Sequence, residues 1–166
     1  MNKYTKLHQY CAGVFRQIMR AIKEILEDIT SRDTHKVWLT SSEIINNGQD
    51  HELILPLVEY LPEIKKKTKG LHMGGLIAPN QRFVDFAIRT IEFHKDSKEC
   101  PCVLYKEYEL FNPSKEAEKG NIKIIETIML DENYPDYYLV ECKKCSQKMK
   151  VSEREYHFTW WQWDQL

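Results

Sequence analysis

The chain has 166 residues, 42% of them hydrophobic and 30% charged, with a formal net charge of −1. That describes an ordinary soluble globular protein of one domain or two small ones. It argues against a dedicated nucleic-acid binder of high pI, and no apolar run reaches the roughly 20 residues that a membrane helix needs.

Met1-Asn2-Lys3-Tyr4 lacks an apolar h-region, so a cytoplasmic protein is expected rather than an exported one. From Tyr4 to Ile29 apolar residues fall at Tyr4, Leu7, Cys11, Val14, Ile18, Ile22, Ile25 and Ile29. Steps of three and four mark one face of a helix. A stripe this wide is a buried face, so Cys11 is read as packing and not as a ligand.

Lys36-Val37-Trp38-Leu39 reads as a short strand or an anchor. Thr40-Ser41-Ser42-Glu43 has capping-box spacing and predicts a short helix stopped by Asn46-Asn47-Gly48. Pro56 places the start of the next helix near Leu55. His51, a single loop histidine, carries little weight as a ligand or base. Lys65-Lys66-Lys67-Thr68-Lys69-Gly70 is the only basic run, and it reads as a solvated helix end where cations meet the C-terminal dipole. The glycine loop at 74–75 lacks the Gly-Lys-Ser/Thr of a phosphate-binding loop. Asn80 is the expected N-cap of a second strong helix ending near His94, and Lys95 to Glu99 is a polar join.

Beyond the join, Val103 to Phe111 alternates with period two and predicts a strand. Lys115 to Gly120 reads as a charged turn. Further strands are expected at Ile122–Leu130, Tyr137–Glu141 and Met149–Ser152, with the aromatic tail Tyr156–Trp163 as a last one. The fold expected is α+β: a helical half, residues 1–98, packed with an antiparallel zinc-ribbon-like sheet, residues 99–166, as two domains or one fused domain.

Two cysteine pairs organise this second half. Cys100-Pro101-Cys102 and Cys142-Lys143-Lys144-Cys145 have 39 residues between them. Four thiolates from two short pairs make a closed tetrahedral Zn²⁺ site, so one structural zinc is expected on Cys100, Cys102, Cys142 and Cys145. The first pair is one residue shorter than usual, and its proline removes an amide donor, so His94 and His157 stand as substitutes for a missing ligand. Five cysteines and no signal peptide disfavour a disulfide framework. No βαβ pattern surrounds Cys142-x-x-Cys145 as a redox pair would require. Cu(I) suits thiolates but has no further support here. A zinc deaminase needs Pro-Cys-x-x-Cys, whereas Pro101-Cys102 runs into Val103, Leu104 and Tyr105.

Residues 99–166 carry 9 basic and 13 acidic side chains. A module that grips phosphate should be basic. The expected function is therefore non-enzymatic: a zinc-binding protein-interaction protein whose partner is basic, of the inhibitor or immunity kind that sequesters a toxin. Glu153, Glu155, Trp161, Trp163 and Asp164 are its expected contact surface. The alternative is a zinc-ribbon nucleic-acid binder, with Trp160, Trp161 and Trp163 stacking on bases and Lys143, Lys144, Lys148 and Lys150 meeting phosphate. An open metalloenzyme site needs three ligands and a free position, and no His-Glu-x-x-His or similar set occurs.

Overall fold

The computed structural model describes residues 19, 21–75, 79–132 and 134–166. Cys11 and most of the expected first helix lie outside these residues. The chain divides into two compact units, Met1–Lys98 and Glu99–Leu166. No helix among the described residues is long and apolar enough to cross a membrane.

The first unit is helical. Helix α1, residues 21–29, buries Ile22, Ile25 and Ile29, which continue the three-and-four spacing of the sequence. Helix α2, Thr34–Asn46, begins earlier than the capping-box reading places it. Asp33 is the true N-cap, its carboxylate accepting from the His35 and Lys36 amides at 3.0 Å. Lys36–Leu39 is thus helical and not a strand, and Thr40 is buried in mid-helix. Those amide bonds, the Lys36 one foremost, hold the Asp33 carboxyl below its ordinary pKa.

Helix α3, His51–Ile54, is capped by Asp50 and runs into a 3₁₀ segment, Leu55–Tyr60, so no α-helix starts at Leu55. Helix α4, Leu61–Thr68, follows with Pro62 in its first turn and Lys65, Lys66 and Lys67 in its last, ahead of Gly70 at φ 72°. Helix α5, Gln81–Asp96, packs on α2, and Val37, Met73 and Val84 form one of the core clusters there. Asn80 holds the N-cap position, but its amide donates to the Met73 carbonyl instead of capping the helix.

The second unit is a four-stranded antiparallel meander in the order β1–β2–β3–β4: Ile122–Met129, Pro135–Cys142, Lys148–Glu155 and Thr159–Gln165. A 3₁₀ segment, Pro101–Glu107, and helix α6, Pro113–Glu118, precede it. The expected strand over 103–111 is absent, and the charged turn over 115–120 is largely helix. The reason lies in which residues are buried. Cys102 and Tyr105, three apart, are buried within the 3₁₀ segment, while Tyr108, extended at φ −147°, and Phe111 are buried beyond its end. Pro101 at the first position of the segment favours that start.

The sheet's inner side carries Val140, Met149, Val151 and Trp163, in register across β2, β3 and β4. Tyr105 stacks on Trp163 with ring centroids 4.4 Å apart and meets Phe111 edge-on at 4.9 Å. The Trp163 indole donates to the Phe111 carbonyl at 3.0 Å.

Candidate metal centre

The two cysteine pairs are delivered by different elements. Cys100 and Cys102 flank the N-terminus of the 3₁₀ segment, while Cys142 ends β2 and Cys145 closes the turn into β3. The β1–β2 register, in which Ile122 faces Cys142, places the second pair, and the Lys143 amide donates to the Asn121 carbonyl at 3.0 Å. Ser146 at φ 62° turns the chain back, so the Cys142 amide reaches the Gln147 carbonyl at 2.9 Å and the Ser146 amide reaches the Cys142 carbonyl at 2.9 Å.

All four sulfurs lie within 4.8 Å of one another. Cys100 Sγ is 3.6 Å from Cys142 Sγ, and Cys102 Sγ is 3.5 Å from Cys145 Sγ. These distances are far beyond a disulfide bond, and all four cysteines are free. A Zn–S bond of about 2.3 Å gives a tetrahedron edge of about 3.8 Å. The cluster can therefore hold a metal ion such as zinc. Four sulfurs would fill a tetrahedral shell and leave no position for a substrate.

Each pair also shields one sulfur with a backbone amide two residues on: Cys102 N–H to Cys100 and Gln147 N–H to Cys145. Pro101 removes one donor, and the next residue supplies it. Burial pushes the Cys100 thiol up to about 11, with the Cys102 amide acting in the opposite direction. Burial raises Cys102 further, aided by its neighbours Cys145 and Cys100. At Cys145 burial also acts upward, but the Gln147 amide and the neighbouring thiols outweigh it and lower the thiol. Without a cation the buried pair resists ionisation, and a divalent ion inverts that preference.

A buried polar network braces this centre. Glu116 is 2% exposed. Its carboxylate accepts from Tyr105 Oη at 2.8 Å, Asn121 Nδ2 at 2.8 Å and Lys119 Nζ at 2.7 Å. Asn121 thus links Glu116 to the second cysteine turn. No motif in the sequence announces Glu116. The only local hint is the Asn112-Pro113 cap, where Asn112 Oδ1 accepts from the Lys115 amide at 3.1 Å.

Neither histidine substitute is needed. His94 engages His51 through Nδ1 at 2.9 Å and the Gly48 carbonyl through Nε2 at 2.8 Å. His157 is exposed in the β3–β4 turn beside Tyr156.

The expected contact surface does not form one exposed patch. Trp163 is only 4% exposed and belongs to the interior, a correction that follows from its place on the inner side of β4. Glu153 and Trp161 face each other across β3 and β4, and Trp161 Nε1 donates to Glu153 Oε2 at 3.1 Å. Tyr138 Oη donates to the same oxygen at 3.2 Å. Glu155 and Asp164 are exposed, but the strand period puts Asp164 on the opposite face from Trp161 and Trp163.

No protein-family model, curated protein or solved structure matches the chain.

Proposed function

We propose that this is a cytoplasmic, non-enzymatic zinc-binding protein that acts by contact with a basic protein, with the β unit serving as a zinc-ribbon-like module. The observation that carries the zinc reading is the four-sulfur cluster, whose sulfurs lie within 4.8 Å of one another. A filled thiolate shell favours a structural ion over a Lewis-acid centre. The acidic balance of residues 99–166 favours a cationic partner, since complementary charge raises the association rate. An inhibitor or immunity-type role suits a small acidic module of this kind.

The test is metal analysis of protein purified under reducing conditions with zinc present, expected to give one ion per chain. Partners retained from host extract by the loaded protein are then purified and titrated. Trp161→Ala should weaken the complex by about 2 kcal/mol or more while metal content is unchanged.

One observation favours a second reading, a nucleic-acid binder. Lys150 Nζ lies 4.2 Å from the Tyr137 ring centroid, and Trp160 stands on the same outer side of the sheet. Against it, Lys123, Glu141 and Lys148 alternate in sign across that side. Filter binding of single-stranded RNA at two salt concentrations separates the readings, because phosphate contacts make affinity fall steeply with salt.

A further inference from the structure

His94 is the one ionisable side chain that is buried among the described residues of the helical unit. Its ring ties the link between α2 and α3 to α5. Nε2 lies 2.8 Å from the Gly48 carbonyl, and Nδ1 lies 2.9 Å from Nδ1 of His51, the exposed first residue of α3. Gly48 sits close on α5, since a Cβ there would stand 3.1 Å from Thr90 Cγ2. A carbonyl only accepts, so His94 Nε2 carries a proton. The two Nδ1 atoms need one proton between them. With both rings neutral, His94 Nδ1 is therefore bare and His51 Nδ1–H donates to it.

The pair accepts one added proton and not two. The first still leaves a single N–H on the contact, whichever ring holds the charge. The second sets N–H against N–H, with two cations whose ring centroids are 5.2 Å apart. No described carboxylate in residues 21–98 is buried to offset them. On the elements packed against α5, Glu43 of α2, Glu52 of α3, Glu59 of the 3₁₀ segment and Glu63 of α4 are all exposed. Asp50 is also exposed and accepts from the Glu52 and Leu53 amides, and Glu92 of α5 pairs with Lys65. Lys65, Lys66 and Lys67 at the end of α4, and Lys95 beside His94, add positive charge. Residues 1–20 and 76–78 contain no Asp or Glu.

We infer that His94 is a proton-operated latch. It holds the α2–α3 link and α3 on α5 while the histidine pair carries at most one added proton, and a second proton releases residues 48–54. The closed pair holds one added proton and the opened pair holds two. Opening therefore takes up one net proton below the ordinary histidine range, near ~6.5. The sign follows: the closed form is favoured above that range, and the opening constant rises about tenfold for each pH unit below it.

The test uses the metal-loaded full chain, labelled with ¹⁵N and titrated from about pH 7.5 to about pH 5, across the histidine range. At the upper end ring ¹⁵N shifts should show His94 protonated at Nε2 and bare at Nδ1, and His51 protonated at Nδ1. Opening constants come from amide hydrogen exchange corrected for its intrinsic pH dependence. They should rise with a slope of one proton at residues 48–54, while the middle of α5 stays protected. Sheet amides in the same spectra separate acid release of metal from this opening. His51→Asn places an amide where Nδ1 stood, and its oxygen can turn to accept from a protonated His94. Acid opening should then fall by about tenfold or more at about pH 5. His35→Asn, at an exposed histidine of α2 outside the contact, should leave it unchanged.

A bare Nε2 on His94, or a slope of zero or of two protons, overturns the inference. So does a pH dependence that His51→Asn leaves intact, because a packing role alone would loosen the segment equally at every pH. Loss of the slope on His35→Asn as well would place the titrating group elsewhere and also overturn it.

Discussion

The two units bury polar groups in different ways. In the helical unit the buried hydroxyls of Ser41, Thr68 and Thr90 each donate to the carbonyl four residues earlier. Such bonds form with the helix itself, and buried His94, whose ring meets the Gly48 carbonyl 46 residues away, is an exception. In the β unit the corresponding contacts are remote: Cys100 to Cys142, Cys102 to Cys145 and Trp163 to Phe111 join residues 42, 43 and 52 apart. A unit of this size, residues 99–166, has a small core and gains most from a staple. The difference teaches that loss of one of these hydroxyls should stay local in the first unit, whereas loss of a cysteine or of the Trp163 bond should spread through the second.

The sharpest break is removal of a ligand. Cys142→Ser should abolish metal binding and unfold the β unit, while the helical signal of residues 21–98 persists. Apparent zinc binding of the order of 10 kcal/mol in small structural sites is folding free energy, so little holds the four strands without it. Metal analysis with tryptophan fluorescence and far-UV circular dichroism reads both halves at once, and retention of the metal or of a native tryptophan signal would refute the difference.

Protons should compete with the metal. With Cys100 pushed up to about 11 and Cys102 higher still, both thiols are protonated at neutral pH in the metal-free protein. Zinc loading must displace those protons, so at least those two should be released per ion, as read by calorimetry in buffers of different ionisation enthalpy. The sign follows: lowering the pH favours the protonated, metal-free form, and the β unit should lose metal and stability on the acid side. A stability curve of the β unit flat to pH 4 would contradict this.

Smaller, but still spread through the unit, is the effect of Glu116→Ala. It leaves the Tyr105 hydroxyl, the Asn121 amide and the Lys119 ammonium without their shared acceptor. Stability should fall by about 2–3 kcal/mol with the metal site still loaded, as when buried donors lose their acceptor. Denaturant titration at fixed metal decides it, and a loss below about 1 kcal/mol would mean that water takes over the carboxylate's role.

The same contrast explains how much could be read in advance. Ile22, Ile25 and Ile29 sit three and four apart, and a local period reports a local structure. The four cysteines were legible because ligand chemistry restricts residue type and pair spacing, and the structure brings all four together. The segment after Cys102 misled because Val103 to Phe111 alternates as a strand would, whereas Tyr105, packed on Trp163 and bonded to Glu116, sits in a 3₁₀ turn that ends at Glu107. Trp160, Trp161 and Trp163 are chemically alike, so only the register against β3 sorts Trp163 to the interior. Glu116 was illegible although its partners Lys119, Asn121 and Tyr105 are only 3, 5 and 11 residues away, since a carboxylate in a short charged run looks solvated until burial closes around it.

The smallest expected effect compares one backbone strain in the two units. Arg32 and Ser146 both hold left-handed conformations, at φ 63° and 62°. That region costs a non-glycine residue about 1–2 kcal/mol, and glycine escapes it at about 0.4–1 kcal/mol of extra chain entropy. Ser146 is exposed and its hydroxyl has no partner among the described residues, so Ser146→Gly should stabilise the loaded protein by about 0.5–1 kcal/mol. Arg32→Gly relieves the same strain but also removes the Nη1 bond to the Lys67 carbonyl, 3.1 Å long, so it should yield little or nothing. The Ser146 gain should also appear as slower zinc loss to a chelator, because Ser146 closes the turn that holds Cys142 and Cys145. The Arg32 substitution should leave the chelation rate unchanged. Equal chelation rates for Ser146→Gly and the unaltered protein would show that the turn's strain is not coupled to the metal centre.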